Sequence, residues 1–397
     1  MFDSAAGPSS LPHPAVAVVT AFATAAVASA IGTRALIAVG LRAGVLDSAG
    51  APGHAKELRR VPNIGGIAVT ATVTVAIAAV LAAHALLDPA QSASDPVGGL
   101  GHSVRNLANS SAGAWWILGG AAVLHALGLR DDRRAIAAWP KLGVQVAVAL
   151  AVAGAGGFRA LHLLDPMVGG PWLSIAISAC FIVALTNAVN FLDNMDGLAG
   201  GVSAIAAASL AVAAGIAGQW ATSGLLAVLC GALLGFLAFN FPWRSGSSAR
   251  IFLGDGGSLP VGFLLAVLAM QVTFTSPGEP GYALGTRWYG VLAPLVILAV
   301  PLYDACTVSG LRMLQGRSPM VGDQQHFSHR LVMRGLTRRG AVLLICAIAA
   351  CCGIAGLLLG TAAPWQASLI GVQVAVFMAT LAALERPMLG RLAGERR

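Results

Sequence analysis

Five aspartates fall in three short stretches of a chain otherwise poor in charge: "GLRDDRR" (128–134), "NFLDNMDG" (190–197) and "FLGDGGS" (252–258). Asp131, Asp132, Asp193, Asp196 and Asp255 each border a long apolar run, so each belongs to a helix exit. If the exits converge, five like charges share one cavity mouth, and a divalent cation relieves their repulsion most simply. The donors on offer are Asp and Asn oxygens. None of the six cysteines (180, 230, 306, 346, 351, 352) has metal-ligand spacing with a histidine. Hard oxygen sites select Mg²⁺ or Mn²⁺, and Mg²⁺ commonly takes one or two carboxylates plus substrate phosphates. The residues therefore point to magnesium-dependent phosphate chemistry at a membrane face.

Each stretch also has a plainer reading. Asp131 and Asp132 could cap a helix that begins after a turn. Asp193 and Asp196, at i and i+3, share a face if their helix continues, with Asn190 three residues before Asp193. Asp255 lies between glycines, which suits a turn and equally a close backbone approach to a ligand. Phe252 reads as membrane-facing bulk or as a stacking surface for a planar base. A fourth stretch, residues 311–340, carries six arginines, His326, His329 and Asp323. The two histidines resemble a metal pair, but no third ligand stands at zinc spacing; beside so much arginine they read as donors to a diphosphate.

The elements that must position these residues are membrane helices. Of 397 residues, 57% are hydrophobic and 10% charged, against about 25% charged in soluble domains. A crossing needs about 20 apolar residues. Eleven stretches meet that length, centred near residues 22, 75, 121, 149, 181, 208, 231, 266, 299, 350 and 375. With alternating connections, 21 of the 24 Lys and Arg fall on one side; only Arg105, Arg159 and Arg287 lie opposite. The positive-inside rule then puts the N-terminus outside and the C-terminus in the cytoplasm. All eight Trp fall at span ends, as an aromatic belt requires. The first stretch lacks the basic residues of a cleavable signal peptide. The net charge of +8 is explained by basic loops beside an anionic leaflet, without nucleic acid. The cysteines are assigned no function. The expected fold is an all-α polytopic membrane protein, one integral domain over residues 1–397 with a cytoplasmic basic and histidine loop at 311–339.

With those residues assembled, the sequence resembles the polyprenyl-phosphate N-acetylhexosamine-1-phosphate transferases, glycosyltransferase family 4. Five segments carry the resemblance in order: "RRVPNIGGIAV" (59–69), "GLRDDRRAIAAWPKLGVQ" (128–145), "NAVNFLDNMDGLAGG" (187–201), "ARIFLGDGGSLPVGFLLA" (249–266) and "GRSPMVGDQQHFSHRL" (316–331). The resemblance implies transfer of a sugar 1-phosphate, with GlcNAc as the leading donor sugar, from a UDP-sugar to polyprenyl phosphate with release of UMP. It implies Asp255 as principal Mg²⁺ ligand with Asn190 beside it, and Asp131 and Asp132 orienting the lipid phosphate. Asp196 would contact uracil while Phe252 stacks on it, and Asn187 would help bind the substrate. Asp193 would support the nucleotide or metal site, and Lys141 would neutralise phosphate. His326, His329 and Arg312 would face the diphosphate or sugar. The implied setting is the bacterial inner membrane, with the active site on its cytoplasmic face; a homodimer is compatible with this reading.

The chain departs from the family pattern twice. The histidine loop of bacterial relatives often reads His-x-His-His, and here the third position is Ser328; the usual glycine after Asp193 is Asn194. Both departures bear on the sugar side. A phospho-N-acetylmuramoyl-pentapeptide transferase-type donor is the alternative, but the run of three histidines common in that branch is absent. A CDP-alcohol phosphotransferase is excluded because Gly200-Gly201 replaces the expected Ala-Arg and no spaced Asp pair follows. A transporter would place ionisable residues near the midplane, whereas the span centres carry none.

Overall fold

The computed structural model describes residues 14–44, 61–86, 111–161, 164–244, 246–273, 292–316, 318, 326–359 and 362–394. Trp288, Asp323 and most of the segment that leads into the histidines lie outside the described residues. Among the described residues every regular element is a helix. In chain order these are α1 (Pro14–Ala43), α2 (Gly65–Leu86), α3 (Ser111–Arg133), α4 (Ala138–Gly154), α5 (Asp165–Val168), α6 (Trp172–Leu192) and α7 (Leu198–Ile216). There follow α8 (Trp220–Asn240), α9 (Asp255–Thr273), α10 (Ala293–Ile297), α11 (Ala299–Leu314), α12 (Phe327–Met333), α13 (Arg338–Leu359) and α14 (Pro364–Gly394).

Seven of the described helices are long and apolar enough to cross a bilayer: α1, α2, α6, α7, α8, α9 and α13. Every centre expected from hydropathy falls in or beside a helix, but four of the apolar runs are not among those seven. The run near 121 is α3, which ends in Arg130–Arg133, and the run near 149 is the 17-residue α4. The run near 299 is divided at Leu298 into α10 and α11. Pro301 has no N–H for the carbonyl of Ile297, so the helical ladder cannot run through. The fourth, near 375, is α14. Tryptophans sit where helices begin or end: Trp172 and Trp220 are the first residues of α6 and α8, Trp139 is the second of α4, and Trp243 follows the end of α8.

Helix α9 is the centre of the assembly, packed by α3, α6 and α2. Leu259, Phe263, Leu265, Ala266, Val267 and Ala269 are fully buried along it. In a bilayer the close fit must come from small residues, because lipid offers no hydrophobic drive between helices. Glycines accordingly line the contacts at the start of α9: a Cβ at Gly66 would strike Gly257, and one at Gly128 would strike the carbonyl of Asp255. Pro260 lies inside α9 and cannot donate to the carbonyl of Gly256; the Nδ1 of His125 on α3 bonds that oxygen instead. Gly128→Ala is expected to cost about 1–3 kcal/mol through overpacking. Thermal unfolding in detergent checks this, and an unchanged midpoint would refute the fit described.

On the far side of the bundle, α1 lies against α8. Gly231 and Gly235 face the backbone carbonyls of Phe22 and Ala26, and Ser29 donates to the carbonyl of Ala232 at 2.6 Å.

Candidate active site

The first N–H groups of a helix have no partner within it. At α9 they find theirs on another element. Asp132, in the last turn of α3, accepts from the backbone N–H of Asp255 at 3.0 Å and of Gly256 at 2.9 Å. The same carboxylate accepts from the side-chain amide of Asn63 at 2.9 Å. Asp132 thus caps α9 from outside, with the positive end of the helix dipole favouring its charge. Asn63 is brought there because residues 62–66 lie along 252–253. Phe252 N–H donates to Pro62 O, Gly65 N–H to Phe252 O and Gly66 N–H to Leu253 O, each at 2.9 Å. Gly254 turns the chain into α9 with φ +70°, and a Cβ there would come within 2.7 Å of both Asn63 Oδ1 and Asp132 Oδ2. No other residue fits that turn.

Lys141, in the first turn of α4, bridges Asp131 (2.8 Å) and Asp255 through its ammonium. Asn190 donates to Asp255 Oδ1 at 2.8 Å and to Ser258 Oγ at 2.9 Å. Asp131 also accepts the backbone N–H of Ile136 at 2.6 Å, which fixes the loop between α3 and α4. The expected cap of a following helix is therefore not formed in that way: α4 has Ala137 at its N-cap, without a side-chain bond. Asp131 and Asp132 lie past the apolar part of α3. Burial pushes Asp132 up to about 7, and the neighbouring charge of Asp255 pushes in the same direction. Burial also raises Asp131, against the pull of Lys141. The site concentrates more negative charge than one ammonium comfortably balances.

Asp193 and Asp196 do not share a helix face. Helix α6 stops at Leu192, and Gly197, at φ +82°, opens α7, so the two carboxylates hang from a tight turn. Each turns to a different amide of the 249–254 segment: Asp193 to Gly254 N–H and Asp196 to Ala249 N–H, both at 3.0 Å. Asn240 at the end of α8 secures the turn by accepting from Gly197 N–H and donating to Ile251 O, each at 2.8 Å. Phe252 is half-buried between these bonds. Asn187 stands one turn earlier on α6 and donates to Gln145 Oε1 at 2.6 Å.

The histidine side is built on α11 and α12. Asp304 is fully buried; it bonds His326 Nδ1 at 2.9 Å and accepts from Phe327 N–H at 2.8 Å. The His326 ring meets Phe191 edge-on at 5.7 Å, and the guanidinium of the buried Arg312 lies 5.4 Å from the centre of the same ring. His329 is half-buried on α12. Asp131, Asp132, Lys141, Asn190, Asp193 and Asp255 therefore form one bonded cluster, with Asp196 and Phe252 beside it. His326 and Arg312 gather separately around Phe191. Asn63, Phe191, Asn240, Ser258 and Asp304 were not singled out from the sequence. The signal available for Asp304 and Asn240 was a polar residue inside an apolar run.

Among the described residues no three His, Cys, Asp or Glu side chains stand close enough to hold a metal ion by themselves. The carboxylate oxygens of Asp255 are hard donors, and Asn190, whose Nδ2 meets Asp255, would bring its Oδ1 to the same ion by turning its amide. Such a set fits a Mg²⁺ that shares its remaining positions with water and phosphate.

Residues 114–273 match the family described as Glycosyl transferase family 4, a span from α3 to the end of α9. A Bacillus subtilis (strain 168) protein named "Probable undecaprenyl-phosphate N-acetylglucosaminyl 1-phosphate transferase" is 30% identical over 267 residues, 66% of this chain and 70% of that one. The decaprenyl-phosphate N-acetylglucosaminephosphotransferase of Mycolicibacterium smegmatis is 33% identical over 241 residues, 56% and 57% of the two chains. The undecaprenyl-phosphate alpha-N-acetylglucosaminyl 1-phosphate transferase of Escherichia coli K12 is 29% identical over 248 residues, 60% and 63% of the two chains. This chain thus spans less than two thirds of the mycobacterial and E. coli relatives. The carboxylates that meet at the start of α9 all lie inside the matched residues, and on that likeness the chain belongs to glycosyl transferase family 4.

Proposed function

We propose that this protein transfers N-acetylhexosamine 1-phosphate, with GlcNAc as the sugar, from a UDP-sugar to undecaprenyl or decaprenyl phosphate and releases UMP. The carrying observation is the meeting of Asp131, Lys141, Asn190 and Asp255 at one end of an apolar helix bundle. A lipid phosphate can reach that end from the bilayer and a nucleotide from the aqueous side. The names of the relatives support the choice of substrates. In this reading the chain crosses a bacterial inner membrane eleven times, with the N-terminus outside and the C-terminus and the site cytoplasmic. The four crossings beyond the seven long helices are α3, α4, the α10–α11 pair and α14.

Lys141 supplies a cation to the incoming phosphates, and charge-assisted bonds of this kind are the strong ones. Asp131 and Asp255 hold that ammonium in place. A Mg²⁺ held by Asp255 with Asn190 beside it would neutralise the diphosphate and the departing UMP. An oxygen of the lipid phosphate forms a bond to the sugar-bearing phosphorus as the bond from that phosphorus to the bridging oxygen breaks, and UMP leaves with the bridging oxygen. The attacking monoester is already largely ionised at neutral pH, its second pKa being about 6, so the residues mainly position and compensate charge. Phe252 offers a face for uracil, and Asp196 is bonded to Ala249 of the same 249–254 segment.

Purified protein in detergent with undecaprenyl phosphate, UDP-GlcNAc and Mg²⁺ is expected to release UMP, dependent on the lipid. EDTA is expected to suppress release at least about a hundredfold, with recovery on added Mg²⁺. Full release in EDTA would sink the metal assignment. No release from UDP-GlcNAc, UDP-GalNAc or UDP-MurNAc-pentapeptide would sink the reading itself.

A further inference from the structure

The two positions at which the chain departs from the family's motifs, Asn194 and Ser328, lie 134 residues apart and bond each other. The Ser328 hydroxyl donates to Asn194 Oδ1 at 2.6 Å. Asn194 is anchored in turn, its Nδ2 donating to the carbonyl of Phe191 at 2.7 Å. Ser328 is only 1% exposed. The bond therefore joins the turn that carries Asp193 and Asp196 to the first turn of α12, next to His326. Asn194 is thereby tied to the backbone of Phe191, whose ring His326 and Arg312 share.

Size couples the two positions. A histidine ring at 328 would have to occupy buried volume beside the Asn194 side chain, and packed interiors do not admit an extra ring without strain. A glycine at 194 would vacate that volume, but it would leave the buried Ser328 hydroxyl without its acceptor. Asparagine with serine fills the space; Ser328→His alone would overfill it and Asn194→Gly alone would empty it.

We propose that Asn194 and Ser328 are one positioning pair, which latches the histidine segment onto the 193–197 turn and takes the place of the family's glycine and histidine there. The pair sets where His326 and its neighbours stand relative to the sugar side of the donor. Its kinetic part rests on the proposed transfer reaction; its structural part does not.

The test compares wild type, Asn194→Gly, Ser328→His and the double variant as full-length protein in detergent. Each single change is expected to lower the thermal midpoint by roughly 2–4 °C. Each is also expected to raise the KM for UDP-GlcNAc roughly tenfold, with kcat changed less than about threefold. The double variant is expected to recover most of both losses. Losses that simply add would overturn the pairing, because independent sites add and partners do not. Midpoints that couple while KM stays at the wild-type value in every variant would overturn the positioning role. Should Ser328→His not fold, the cycle of Asn194→Ala, Ser328→Ala and their double decides the coupling by the same criterion. If the wild type releases no UMP, the transfer reaction fails while the midpoints still decide whether the two residues act as one.

Discussion

Asp255→Asn should lower UMP release roughly a thousandfold, about 4 kcal/mol of transition-state stabilisation. The reason lies in what the carboxylate touches. One oxygen accepts from Asn190 and the other meets the Lys141 ammonium. An amide in its place keeps the shape but sets a donor against one of two donors, and it removes the formal charge that a cation needs. The backbone of Asp255 is held separately by Asp132, so the start of α9 survives the change. The expected result is thus a folded protein with little activity at any magnesium concentration. Turnover at the wild-type rate with ordinary magnesium would show that Asp255 is not the metal's ligand.

The second large effect separates two neighbours with the same side chain. Asp132→Asn should damage both stability and activity, whereas Asp131→Asn should damage activity alone. Asp132 accepts three hydrogen bonds, two of them from the backbone at the start of α9. An asparagine there presents its own NH₂ to one of those N–H donors, and a buried donor left unpaired costs about 1–3 kcal/mol. At roughly 2–4 °C per kcal/mol for a chain of appreciable size, the loss is readable in a melting curve. Asp131 bonds Ile136 N–H and Lys141, and the ammonium keeps Asp255 as its partner when the Asp131 charge is removed. Asp131→Asn keeps a carbonyl for Ile136 and should change the midpoint little. Without its charge, Lys141 is poorly held against phosphate, and UMP release should fall roughly a hundredfold. Equal melting losses in the two variants would contradict the division of labour between capping and substrate charge.

The chemistry was legible because charge is conspicuous in an apolar chain. Asp131, Asp132, Asp193 and Asp255 stand out on composition alone, and helix exits are where lipid tolerates them. Their mutual arrangement was not legible in the same way. Spacing at i and i+3 places Asp193 and Asp196 on one face only while a helix runs, and the helix stops at Leu192. Nor could spacing single out Asn63, which gains its role only when residues 62–66 lie along 252–253. Asp304 offered only the signal of an acid in an apolar run, and the partner that explains its burial, His326, is supplied by a later segment. Span lengths behaved similarly. Apolar runs announce helices, while Pro301 inside one run decides that it becomes two pieces. Local composition dictates the helices; the contacts between helix ends come from packing across 60 to 130 residues of chain.

The seam between α1 and α8 has a consequence for how the protein is made. Ser29 and its acceptor, the carbonyl of Ala232, are 203 residues apart. At synthesis rates of about 5–20 residues per second, α1 is complete roughly 10–40 seconds before its partner has been translated. Through that interval α1 has α2 to lie against but not α8, and its 30 residues with basic groups only at Arg34 and Arg42 suit it to stay in lipid. The hydroxyl that will later reach Ala232 has the carbonyls of its own preceding turn to bond meanwhile. When α8 arrives, the glycines at 231 and 235 let it come close enough to take that bond over. The place of α1 is therefore completed only when α8 arrives.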